Sequence, residues 1–404
     1  MMRNILIAMS LTGMISCSNN RNVNEKQSSA SSTISMLSSP AGDSCGEPYL
    51  STDKDGIVYL SWIVKKGKQS TLKFSSFVND KWSEPSSIAT GNNWVVNWAD
   101  YPVIAADGSN NFIAHFLEKN DPVKFTYDVK FILSADSGRL WSRSKLLNDD
   151  GVKAEHGFVS IIPYKDQFFV CWLDGRKTGG EEDHGGHEHH GEMSLRAAFI
   201  DKNGNKTNEW ELDEKVCDCC QTTATITNDG PVVVYRDRSD DEIRDISIVR
   251  YVDGTWTSPK TIHDDNWQIK ACPVNGPRAD AIGNYLAIAW FTMKDKEGEV
   301  KVVFSNNGGG SFTNAIAINE NKSIGRVDVS MIDSATAMVS WMEGSLIKAT
   351  KVRTNGNKEP AVIVASSSEA RSSGFPQMTK AGNKIFFAWT DEKTKSIKLG
   401  QMSL

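Results

Sequence analysis

The residues best suited to chemistry are cysteines and histidines. Cys217-Asp218-Cys219-Cys220 puts three thiols within four residues, and Cys272 follows in Ala271-Cys272-Pro273. A histidine-rich run, His184-Gly185-Gly186-His187-Glu188-His189-His190, and a single His156 supply imidazoles. Thiolates and imidazoles together form a soft donor set that suits copper(I) or zinc. The competing chemistry is a disulfide, the default for neighbouring cysteines in an oxidising compartment. Cys272 with one of Cys217, Cys219 or Cys220 is the pairing to expect. Cys171 reads as a buried, unpaired thiol, and the sequence offers Cys45 no evident partner.

The elements that must position these groups repeat along the chain. An apolar strand ending in an aromatic recurs at Trp62, Phe116, Trp172, Tyr235, Trp290, Trp341 and Trp389, at intervals of 48 to 63 residues. Each copy adds a second hairpin, such as Val129 to Leu133 followed by Arg143 to Leu147. Four strands in about 50 residues is the size of a propeller blade. The chain is therefore predicted to be all-β, a β-propeller of four-stranded blades, with seven blades expected and six or eight as alternatives. After Trp389 there is room for one more strand, Ser396 to Met402, while Thr33 to Ser38 is a spare strand before the first copy. The N-terminal strand is expected to complete the last blade and close the ring, removing exposed sheet edges.

One turn carries a family signal. Ser134-Ala135-Asp136-Ser137-Gly138-Arg139-Leu140-Trp141 matches Ser-x-Asp-x-Gly-x-x-Trp, and Ser305 to Phe312 is a weaker copy. Asn79-Asp80-Lys81-Trp82 and Asp253-Gly254-Thr255-Trp256 are remnants at the equivalent turn. In this pattern the Asp caps the turn, the Gly takes a positive φ and the Trp covers the hairpin. The turn and the repeat together resemble the Asp-box (BNR-repeat) propellers of the sialidase superfamily, over about residues 33 to 404. In that family Ser134, Asp136, Gly138 and Trp141 would be structural and would sit away from the ligand face.

The resemblance also implies where ligands bind: among the loops that precede each first strand and those that join the second strand to the third. Cys217, Cys219, Cys220, Cys272, His156 and the histidine-rich run all fall in such loops and are expected to share one face. Arg278, Arg326 and Arg371 lead into blades V, VI and VII as an anion-binding group, with Asp100 as a candidate acid; bidentate arginine binding suits a substrate carboxylate. The sequence departs from active sialidases, however. The first blade begins Cys45-Gly46-Glu47-Pro48 with no arginine, and the last tyrosine is Tyr285, so blades VI and VII lack a nucleophile of that type. Glu118, Asp174, Asp237, Glu343 and Asp391 each follow a strand-ending aromatic by two positions. They are either a ring at the channel mouth or turn-formers repeated with the blade.

The N-terminus reads as an export signal. Arg3 precedes an apolar stretch too short to span a bilayer, ending Met14-Ile15-Ser16-Cys17. This resembles a bacterial lipoprotein signal. Residues 1–16 would be removed, Cys17 lipidated and 17–32 left as a flexible tether, before the propeller at 33–404. The expected location is the bacterial outer membrane, facing periplasm or cell surface. The formal net charge is −5, with no basic block; this argues against nucleic acid as a partner. The functional expectation is an exported propeller lipoprotein with a ligand-binding face, for a ligand or for a soft metal, copper or zinc. The alternatives are a sialidase-like glycoside hydrolase and a scaffold for another envelope protein.

Overall fold

The computed structural model describes residues 33–178 and 191–404. These form seven antiparallel sheets. Blade I spans 45–91, blade II 94–146, blade III 156–213, blade IV 223–263, blade V 278–317, blade VI 325–366 and blade VII 377–403. The innermost strand of each blade neighbours that of the next, and Cys45–Thr52 of blade I meets Gln377–Ala381 of blade VII. The ring is closed as the sequence predicted. Ser35–Leu37 pairs antiparallel with Ser396–Ser403, with Ser35 opposite Gln401 and Leu37 opposite Leu399.

The repeated aromatics explain why the sheets stack. All seven lie in the second strand of a blade and are at most 5% exposed. Each sheet is apolar on both faces and buries them against two neighbours. Leu60 and Trp62 of blade I thus share a cluster with Phe386, Ala388 and Leu399 of blade VII, and Ala289 and Val302 of blade V pack with Val327 and Val329 of blade VI. Burying an indole leaves its N–H in need of an acceptor. Here the acids two positions on find their use. Trp172 Nε1 donates to Asp174 at 2.8 Å and Trp341 Nε1 to Glu343 at 3.0 Å. The other three serve separate local partners: Glu118 faces Lys130, Asp237 accepts from Ser247, and Asp391 caps its own turn. The repeated acids therefore form no shared ring.

The Asp-box forms as expected. Ser134 Oγ accepts from Gly138 N at 2.9 Å, and Asp136 Oδ1 accepts from Leu140 N at 2.9 Å. The weaker copy repeats both bonds, from Gly309 N to Ser305 Oγ and from Ser311 N to Asn307 Oδ1. An Asn thus replaces the Asp without changing the turn. The two remnants are tight two-residue turns instead, with positive φ at Asn79, Asp80, Asp253 and Gly254. No helix among the described residues is long and apolar enough to cross a membrane.

Gly138 has φ +80, and a Cβ there would lie 2.4 Å from Phe74 in blade I. Gly138→Ala is expected to destabilise the protein by about 1–2 kcal/mol from the left-handed backbone alone, and further through displacement of Phe74. Chemical denaturation followed by circular dichroism measures it; an unchanged midpoint would show that the box does not brace the two blades.

Candidate functional site

Cys217, Cys219 and Cys220 sit in the turn that leads into blade IV. Two backbone contacts fix that turn: Val216 N donates to Met193 O of blade III, and Cys217 N to Arg236 O at the end of the second strand of blade IV. The turn folds the three thiols inward. Cys217 and Cys220 are buried and Cys219 is half-buried. Cys217 Sγ lies 3.4 Å from Cys220 Sγ and 4.0 Å from Cys219 Sγ, and the three sulfurs lie within 4.8 Å of one another. Cys272 is exposed and stands beside Cys219, near enough to influence its thiol. Three of the four cysteines that the sequence placed together, Cys217, Cys219 and Cys220, form one group, and Cys272 stands at its edge. All six described cysteines are free thiols, so the expected disulfide is not formed here.

The electrostatics favour a thiolate. Hydrogen bonding with Cys219 and Cys220 holds the Cys217 thiol well below the usual range, and the Arg244 and Arg236 guanidiniums add to this. Arg244 Nη1 is 3.2 Å from Cys217 Sγ, while Nη2 donates to Glu242 at 2.7 Å. Burial pushes the Cys220 thiol up to about 12, and its hydrogen bonds with Cys217 and Cys220 raise that of Cys219. The cluster therefore holds its first negative charge at Cys217, with neighbouring thiols as donors. Arg236 lies 4.9 Å above the Trp267 ring and donates to Asn275 O and Phe291 O, which locks blade IV to blade V. Beside the cluster opens a cleft of about 550 Å³, lined by Asp218, Arg238, Glu242, Arg244, Lys270 and Cys272. The sequence reading missed these arginines, although Arg236, Arg238 and Arg244 stand close together just after the aromatic of blade IV.

His156 does not join the cysteines. It opens the first strand of blade III, fully buried, and groups with Asp150 and Asp174. His184, His187, His189 and His190 lie outside the described residues, as does Cys17.

The arginines lead into their blades as expected, but two are already engaged. Arg278 is paired with Asp328 at 3.1 Å and donates to Gln377 at 2.9 Å. Arg326 directs both terminal nitrogens into the 368–374 loop, to Ser373 Oγ, Gly374 O, Glu369 O and Ala370 O. Arg371 is exposed; it and Arg326 lie 5.9 and 5.3 Å from the Trp98 ring. The three do not form one open clamp, because Arg278 and Arg326 join neighbouring blades. Asp100 is buried. One of its oxygens accepts from Phe158 N at 2.9 Å and the other has no hydrogen-bond partner; burial raises the carboxyl to about 7.

A larger cleft of about 990 Å³ runs along blades VII, I and II. Trp94, Trp98 and Phe125 line it, with Glu47, Lys65 and Lys119. None of these was singled out in the sequence, because their shared surface is created only when blade I packs against blade II.

No protein-family model matches the chain, and no curated protein matches it. Among solved structures it is similar to the polysaccharide lyase Uly1, at 9% identity and TM-score 0.52 over 89% of this chain and 90% of that one. The Hadza microbial sialidase Hz136 aligns at 14% identity and TM-score 0.44, covering 74% of this chain and 63% of that one. A fungal six-bladed propeller, the Aleuria aurantia lectin, aligns at 12% identity and TM-score 0.48, covering 76% and 93%. These likenesses concern fold. The seven closed blades and the Asp-box turns make the fold a seven-bladed β-propeller.

The exposed thiol gives a direct check on the cluster. The neighbouring Cys219 lowers Cys272 to about 7, and the thiolate is the form that alkylates. Iodoacetamide labelling of Cys272, mapped by mass spectrometry, should fall off as pH drops below about 7. An ordinary thiol would make the same transition near 8.5; a midpoint there would mean that Cys272 stands apart from Cys219.

Proposed function

We propose that this propeller binds a soft metal ion, copper(I) or zinc, through Cys217, Cys219 and Cys220, with Cys272 as the exposed fourth ligand. The observation that carries the reading is the convergence of three sulfurs around a charge-stabilised Cys217. Tetrahedral zinc with Zn–S bonds of ~2.3 Å holds its sulfurs about 3.8 Å apart; the 3.4 and 4.0 Å separations bracket that spacing. The thiols thus need little rearrangement to become ligands. Bound metal would supply a Lewis-acidic or electron-accepting centre, and the chain's part is to hold the thiolates and balance their charge with Arg244 and Arg236. In this reading the protein works outside the cytoplasm, tethered by lipid on Cys17, and gathers or passes on metal at the cell envelope.

The test is metal analysis of the chain from about Thr33, purified without chelator. One equivalent of copper or zinc per chain is expected, and the double variant Cys219→Ser, Cys220→Ser should lose at least 100-fold in affinity for it, about 2.7 kcal/mol. Unchanged affinity in that variant would sink the reading.

A glycan is the second reading, favoured by the cleft lined by Trp94, Trp98 and Phe125. Aromatic faces beside charged groups can stack on sugar rings while hydrogen-bonding their hydroxyls. Trp98→Ala should abolish binding to whichever oligosaccharide an array identifies.

A further inference from the structure

We propose a second cation site in blade III, in which His156, Asp150 and Asp174 bind a divalent ion of the zinc class. It uses none of the cysteines and stands or falls independently of the thiol reading.

Local pairing brings the ligands together. His156 is the first residue of the strand His156–Tyr164 and sits directly opposite Asp174, the last residue of Gln167–Asp174. Side chains so paired share one face of the sheet. Asp150 comes from the loop just before. His156 Nε2 lies 3.3 Å from Asp150 Oδ2 and 3.7 Å from Asp174 Oδ1. Zinc bonds of ~2.0–2.1 Å in a tetrahedron put neighbouring N and O ligands about 3.3–3.4 Å apart, so the three atoms already stand near the corners of such a site.

The hydrogen bonding supports a ligand there. His156 Nδ1 is 3.2 Å from Tyr127 O. In the tautomer that donates to that carbonyl, Nε2 presents its lone pair inward, the arrangement in which metal-binding histidines are held. Nε2 is fully buried and makes no hydrogen bond, and neither does Asp150 Oδ2. An unprotonated Nε2 facing two carboxylates is repulsive, and a metal ion held between the three atoms removes that repulsion. Asp174 is itself held in place, since its Oδ2 accepts from Trp172 Nε1.

Arg176 supplies part of that positive charge. Its Nε is 2.7 Å from Asp174 Oδ1 and its Nη2 is 3.3 Å from Asp150 Oδ2. It is also the most exposed member of the group, with 21% of its side chain accessible against 7% or less for the ligands. Arg176 therefore covers the site and competes with the ion. When an ion enters, the guanidinium can keep Asp174 Oδ2 and Glu209, the latter 3.2 Å away. The donors are nitrogen and oxygen, so the preference is for zinc or copper(II) over copper(I).

The test uses the full folded domain with Cys217, Cys219, Cys220 and Cys272 all changed to Ser, titrated with Co2+ as a coloured probe and then with Zn2+. One equivalent of Co2+ with tetrahedral visible bands, displaced by Zn2+, is expected. His156→Gln in that background should remove the bands. Arg176→Gln, which deletes the competing charge, should tighten binding about ten-fold or more. If the cysteine-free chain does not fold, wild type and His156→Gln are compared by calorimetry, and wild type should bind one more Zn2+. No uptake by the folded cysteine-free chain overturns the site, as does uptake unaffected by His156→Gln, which would assign the ion to other histidines. Weaker binding in Arg176→Gln would make the guanidinium part of the site's support instead of its competitor, and would overturn the proposal in its present form.

Discussion

Everything else in this structure depends on the pairing of Ser35–Leu37 with Ser396–Ser403. Each sheet is apolar on both faces, so an open row of seven would leave two whole faces in water. Joining the first and last described strands in one blade lets blade VII pack on blade I, as Phe386 and Leu399 do on Leu60 and Trp62. Only after closure do the loops that precede the inner strands meet on one face. A series of polar contacts then crosses that face from blade to blade. Gln221 bonds both Ala99 O and Gly276 N, Asp100 holds Phe158 N, and Arg278 pairs with Asp328.

That cross-blade network explains which residue roles were legible. Repeated aromatics and turn residues announce the fold because they recur from blade to blade, and the spare strand was legible because the last copy lacked one. Arg278 and Arg326 show the opposite case. Their position and type suit an anion clamp, but their partners, Asp328 and the 368–374 loop, come from the next blade, about 50 residues on in the first case. A guanidinium's chemistry can be read from sequence, whereas the acceptors it already serves cannot. The acids after the aromatics were ambiguous for the same reason, settled only when two were found bonded to their own blades' indoles.

The two candidate metal groups divide along this line. Cys217, Cys219 and Cys220 were visible because they share one turn. Arg244, which helps to charge Cys217, lies 27 residues on, and nothing in the cysteine motif points to it. His156 was visible as a residue type but was matched to the wrong companions: loop topology put it on the same face as the cysteines, and strand register put it against Asp174. Asp150 gave no signal at all, because an aspartate in a loop before a strand is ordinary until its neighbours are known.

For the metal site proposed at the thiol cluster, charge balance would allow either of two ions. Three thiolates in a site shielded from water carry three negative charges, of which Arg244 and Arg236 offset two. A monovalent copper ion would supply the remaining positive charge, leaving the group neutral with Cys272 still a thiol. A zinc ion brings one charge more, and neutrality then requires a fourth thiolate. Cys272 is the cysteine able to provide it, being exposed, beside Cys219 and the one whose thiol is lowered to about 7. The protonation state of one accessible thiol would thus set which ion the buried three prefer, because the guanidiniums beside them are fixed by the packing of blade IV on blade V.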